Sequence, residues 1–150
     1  MLEYRIMDGM TFIQRIRDDG ENYAPIGRFV DFKIDDIARG RLTGSGKPNA
    51  GHYNPFGIVH GGFASTLLDL ALGHVSITML DDMANAITTT DLSVKYMRPI
   101  SSDTGELRWE ATVPHAGKTM VIAEARLFDS AGKLYATSQS TCLIVRRRTS

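Results

Sequence analysis

Asn54-Pro55-Phe56-Gly57-Ile58-Val59-His60-Gly61-Gly62-Phe63-Ala64-Ser65-Thr66-Leu67-Leu68-Asp69 holds three signals in a row: a turn, two adjacent glycines, and an apolar run with one acid inside it. Asn, Pro and Gly at the front predict the turn. Beyond it, Ala64, Leu67, Leu68, Ala71, Leu72, Val75 and Met79 recur at three- and four-residue spacing, the period of one buried stripe on a long helix. Gly62, Thr66, Asp69, Gly73 and Ser76 form an adjacent stripe of mostly small side chains, against which a backbone or a ligand can lie closely. Glycines at a helix start leave backbone N–H groups uncovered at the positive end of the helix dipole. A carbonyl oxygen gaining charge would be stabilised there. Asp69 sits where desolvating a carboxylate is costly, so it needs a reason. An acid and an oxyanion site together suggest hydrolysis of an activated acyl group.

Working outward, Met10 to Arg17 reads as a short amphipathic helix ended by Asp18-Asp19-Gly20. Phe29 to Ile34 alternates, with Val30, Phe32 and Ile34 on one face, and predicts a strand. Arg39-Gly40 is a turn, Arg41 to Ser45 a returning strand, and Gly44 to Pro55 a loop. After Asp81-Asp82 the period becomes two. Thr88 to Pro99 predicts one strand, followed by strands around Trp109, around Ala123, and from Leu134 to Val145. Turns at His115–Lys118 and Asp129–Gly132 are short, which implies antiparallel pairing. The expected architecture is α+β: one curved antiparallel sheet wrapped around one long helix, in a single domain over 1–150 with a short helical N-terminal extension at about 1–20.

Lys+Arg and Asp+Glu both number 17, so no global field favours nucleic acid or an anionic membrane. The run from Phe63 to Leu80 contains Asp69 and His74 and is a poor membrane span. Cys142 is the one cysteine, so no internal disulfide can form. With no basic-then-apolar start, this leads us to expect a cytoplasmic protein. His52, His60, His74 and His115 lack metal-ligand spacing, and no Gly-x-Ser-x-Gly elbow is present. An activated acyl group already carries a good leaving group, so neither a metal nor a consumed cofactor is expected.

The element order and the motif resemble the hotdog-fold acyl-CoA thioesterases, specifically the phenylacetate-degradation-type branch. The resemblance spans roughly residues 29–145. It rests on Asn54, the His60-Gly61-Gly62 triplet, Asp69 seven residues after Gly62, and the strand ending Tyr96-Met97-Arg98-Pro99. It implies that Asn54 and His60 hold the thioester and its loop, with Gly61 as a substrate-binding residue beside them. It also implies that the Gly62 N–H polarises the carbonyl and that Asp69 acts as nucleophile or as general base. A Ser or Thr on the following strand would position water or acid, with Thr89 the nearest match and Thr88 and Thr90 as competitors. The resemblance further implies a homodimer or dimer of dimers, with His60 and Gly62 of one chain meeting Asp69 of the other. Coenzyme A enters only as part of the substrate, with Arg98, Lys118 and the arginines from Arg146 to Arg148 as candidates for its phosphates. The alternatives are a hydratase or dehydratase and a non-catalytic acyl-CoA binding module on the same fold.

Overall fold

The structure, a computed structural model, describes residues 6–19 and 24–146. The start of the expected N-terminal extension, the helix stop at Gly20, and Arg147 and Arg148 lie outside these residues. Helix α1 (Gly9–Asp18) begins where Asp8 Oδ1 accepts the Thr11 N–H at 2.7 Å, and it buries Ile13 and Ile16. This is the expected amphipathic helix, and the structure adds Asp8 as its N-cap.

The segment from Phe29 differs from expectation. Pro25–Val30 is a 3₁₀ helix, Asp31 takes a left-handed conformation (φ 50°), and strand β1 covers Lys33–Ala38. Pro25 suits a first helical turn because it has no N–H to leave unsatisfied. The three-residue period of this 3₁₀ helix puts Gly27 and Val30 on one side, and both are buried. The apolar alternation is real, but Phe29 and Val30 belong to the 3₁₀ helix and the strand begins only at Lys33.

After the Arg39-Gly40 turn, β2 covers Arg41–Gly46. The loop expected from Gly44 begins three residues later, at Lys47. Gly44 is still in the sheet, where a Cβ would stand 2.2 Å from the Trp109 ring, so glycine is required there. A 3₁₀ turn at Ala50–His52 leads to helix α2 (Gly61–Ile77). Strands β3 (Asn85–Thr89), β4 (Ser93–Tyr96), β5 (Leu107–Ala116), β6 (Met120–Asp129) and β7 (Leu134–Arg146) follow.

All pairings are antiparallel, in the order β1-β2-β5-β6-β7-β3, with β4 also on β7. The sheet curls around α2. Leu67, Leu68, Ala71, Leu72 and Val75 on the helix are buried with Leu107, Trp109, Ala111, Ala123, Ala125 and Leu127 on the strands. Each buried Leu contributes about 1.5–3 kcal/mol of transfer free energy. This is the hotdog fold.

The single strand expected over Thr88–Pro99 is instead two. Thr89 opposes Cys142 while Ser93 opposes Gln139, so the edge gains one residue relative to β7. This bulge inverts the alternation. Before it, Ile87 and Thr89 share the α2 face; after it, Val94 and Tyr96 do. Asp91 makes the break tolerable: its Oδ1 accepts the Thr141 N–H at 2.9 Å, and its carbonyl accepts from Ser140 Oγ at 2.9 Å.

Candidate active site

Asn54 closes the loop before α2. Its Oδ1 accepts the N–H groups of Phe56 at 2.9 Å and Ile58 at 3.3 Å, an Asx turn that shapes the approach to the helix. His60 is the N-cap of α2, and its own N–H donates to the His52 carbonyl at 2.7 Å. His60 Nδ1 accepts the Gly62 N–H at 3.1 Å. A neutral ring with Nδ1 accepting carries its proton on Nε2, so His60 keeps one N–H donor for the surrounding clefts.

The Gly62 amide, expected to polarise a carbonyl, is therefore engaged within its own helix cap. The Phe63 N–H returns to the His60 carbonyl at 2.9 Å. Gly61 N–H, the first of the helix, has no hydrogen-bond partner among the described residues. Gly61 borders a cleft of about 350 Å³ that also touches His60, Tyr96, Arg98 and Pro99. A Cβ at Gly61 would lie 3.2 Å from the Tyr96 ring, so the glycine lets that ring sit against the helix start without shifting.

Tyr96 and Ser65 join the site, and the sequence reading gave neither a role there. Tyr96 OH donates to the Gly61 carbonyl at 3.1 Å and bonds Ser65 Oγ. Ser65 follows Gly61 by one helical turn, and that i,i+4 spacing was the available signal. Arg98 Nη1 donates to the Leu134 carbonyl at 3.0 Å, fastening the exit of β4 to the start of β7.

Asp69 is half-buried two turns further along α2, and Thr89 Oγ1 donates to its Oδ1 at 3.4 Å. The competing threonines are elsewhere: Thr90 Oγ1 donates to the Thr141 carbonyl at 2.9 Å, and Thr88 opposes Leu143 on the outward face. Lys118 is in the β5–β6 turn, which the Ile144-to-Thr119 hydrogen bond places at the far end of β7 from Tyr96. Thus Asn54, His60, Gly61 and Gly62 gather at the helix start with Arg98, Asp69 pairs with Thr89, and Lys118 stands apart from both groups. Gly61 and Asp69 are eight residues apart in one helix, about 12 Å of axial rise.

His74 is buried on the same helix. Its Nδ1–H donates to the Leu70 carbonyl at 2.6 Å, and its ring lies 5.1 Å from Phe32. Burial holds its pKa below the ordinary 6.5. Cys142 is a free, buried cysteine. Among the described residues no three His, Cys, Asp or Glu side chains gather as a metal site, and no helix is long and apolar enough to cross a membrane.

Residues 56–136 match the sequence profile of the thioesterase superfamily, over the stretch that carries the His-Gly-Gly cap, Asp69 and Tyr96. The chain belongs to the thioesterase superfamily. As a thioesterase it is a thioester hydrolase. It is 30% identical over 97 residues to the proofreading thioesterase EntH of Klebsiella pneumoniae, covering 65% of this chain and 69% of that one. It is 24% identical over 117 residues to the 1,4-dihydroxy-2-naphthoyl-CoA hydrolase of Escherichia coli, covering 78% of this chain and 84% of that one. The PaaI protein of the Escherichia coli phenylacetic acid degradation operon superposes with a TM-score of 0.78 at 16% identity, covering 91% and 95% of the two chains. That last likeness concerns the thioesterase fold.

Proposed function

We propose that the chain hydrolyses an acyl-CoA thioester to free acid and coenzyme A at a site completed by a second copy of itself. The observation that carries this reading is the separation of the two half-sites. An open amide at Gly61 and a carboxylate at Asp69, about 12 Å apart along one helix, cannot act on one carbonyl within a single chain. The outer edge of β3 and β4 pairs with no strand among the described residues. Tyr96 marks the helix start on that edge, and Thr89 marks the acid. In an antiparallel pairing of two such edges about an axis between Leu92 and Ser93, Tyr96 faces Thr89 of the partner subunit. The Gly61 N–H then approaches Asp69 of the partner subunit.

At such a site the Gly61 N–H and the positive end of α2 stabilise the oxygen of the tetrahedral intermediate. His60 Nε2–H is a second donor, and the Gly62 N–H holds its ring in place. Asp69 works in one of two ways. As general base it takes a proton from water, whose oxygen adds to the carbonyl carbon; coenzyme A thiolate then leaves and is protonated. As nucleophile its carboxylate oxygen adds to that carbon and expels the thiolate, and water then hydrolyses the mixed anhydride. Thr89 orients the carboxylate in both.

Mixing two inactive variants tests the shared site. Asp69→Asn and Gly61→Val subunits, each inactive alone, regain about one quarter of parental thiol release when co-assembled at random, because half of the dimers are mixed and each holds one intact site. Activity that stays absent in confirmed mixed dimers overturns the shared site. Fully active monomers overturn it as well.

A further inference from the structure

The outward face of the sheet, opposite α2, carries a second cluster of polar groups. Thr137 on β7 is paired with Lys95 on β4 and Arg126 on β6, giving one cross-strand row of cation, hydroxyl and cation. The next row is Ser93, Gln139 and Glu124. These six side chains line one shallow cleft of about 350 Å³.

Charge within the cleft is unbalanced. Gln139 Nε2 donates to Glu124 Oε1 at 3.1 Å. Glu110, the cross-strand neighbour of Arg126 on β5, is held by Arg41 Nε at 3.3 Å. Among the described residues neither Lys95 nor Arg126 has a carboxylate within ion-pair distance. Two strand spacings separate their backbones by about 10 Å, a span that both long side chains can close over Thr137. Two unpaired cations of this kind repel one another unless an anion lies between them. A guanidinium fork, an ammonium and the hydroxyls of Thr137 and Ser93 match the oxygens of a phosphate group.

We propose that this outer cleft binds a phosphate group, with Arg126 and Lys95 as its cationic ligands and Thr137 and Ser93 as hydroxyl donors. Two sources carry that chemistry: the coenzyme A arm of the thioester, and a free nucleotide or phosphate. The first source rests on the proposed acyl-CoA hydrolysis.

Binding is read first by calorimetry, with coenzyme A, dephospho-coenzyme A, ATP and inorganic diphosphate titrated into the parent protein and into Lys95→Gln, Arg126→Gln and the double variant. Each substitution weakens phosphate ligands about tenfold, the worth of one charge-assisted hydrogen bond. The thermal midpoint stays parental because both side chains are on the surface. If any single variant fails to fold, the other carries the comparison. Thiol release then distinguishes the sources. If the coenzyme A arm is the ligand, the double variant raises KM for acyl-CoA, keeps kcat, and leaves the phosphate-free acyl-pantetheine unaffected. If a free nucleotide is the ligand, ATP binding is lost while KM for acyl-CoA stays parental. Equal affinities of the parent and the double variant for every phosphate compound overturn the cleft. An absence of turnover on any acyl-CoA overturns the hydrolase reading alone, since the titrations need no turnover.

Discussion

Thr89 Oγ1 donates to Asp69 Oδ1 across the gap between the sheet edge and the central helix, at 3.4 Å. Thr89 reaches this position because the bulge at Thr90–Leu92 inverts the strand's alternation, so that Thr89 and Tyr96, an odd and an even residue, both face α2. One extra residue thereby supports both halves of the site: Tyr96 at the helix start and Thr89 at the acid.

Asp69→Asn retains size and shape but loses basicity and nucleophilicity. Thiol release falls by about 10²–10⁴, the worth of a positioned base, while KM changes little. The thermal midpoint stays near or above the parental value, since a half-buried charge has been removed. Near-parental turnover in a folded Asn variant moves the chain to the non-catalytic binding reading.

Thr89→Ala frees one rotamer of Asp69 and lowers kcat about tenfold, the worth of a hydrogen bond to a charged group. Thr88→Ala, on the outward face, leaves kcat parental. Steady-state kinetics on the pair decide which threonine serves the acid, and an equal loss in both variants contradicts the assignment.

Asp91→Ala removes the acceptor of the Thr141 N–H. It destabilises the fold by about 1–3 kcal/mol through an unsatisfied edge amide, and it lowers kcat because Thr89 loses its register. Asp91→Asn retains an oxygen acceptor and behaves more like the parent. Urea unfolding and turnover of both variants check the order parent, Asn, Ala.

Protonation of His74 opposes the fold. Its folded pKa lies below 6.5 because of burial, so the unfolded chain takes up the proton first. Stability attributable to His74 is intact above about pH 6.5 and declines as pH falls through that value toward the folded pKa, by at most about 1.4 kcal/mol per pH unit. His74→Phe, which keeps an aromatic ring beside Phe32, removes this component. Unfolding free energies at about pH 5.5 and 7.5 differ less in the variant than in the parent. Identical pH slopes contradict the account.

Local signals in the chain were sufficient for the helix, its buried stripe, most of the strands and the residues at the helix start. Those depend on periodicity, glycine and proline chemistry, and charge, each carried by near neighbours in sequence. Asp69 and the His60-Gly61-Gly62 cap were legible for the same reason. Other features depend on contacts between residues far apart in the chain. The alternation read from Phe29 to Ile34 starts inside a 3₁₀ helix that ends at Val30, and only tertiary packing places the start of the strand at Lys33. The choice of Thr89 over Thr88 and Thr90 follows from an edge bulge held by Asp91 and Thr141, fifty residues apart. His60 Nδ1 takes the Gly62 N–H through the fixed geometry of the cap, which leaves Gly61 open. Lys95 and Arg126 become neighbours only because β7 lies between β4 and β6. Sequence periodicity assigns each residue to a face of its own element, but register and strand order decide what that face meets.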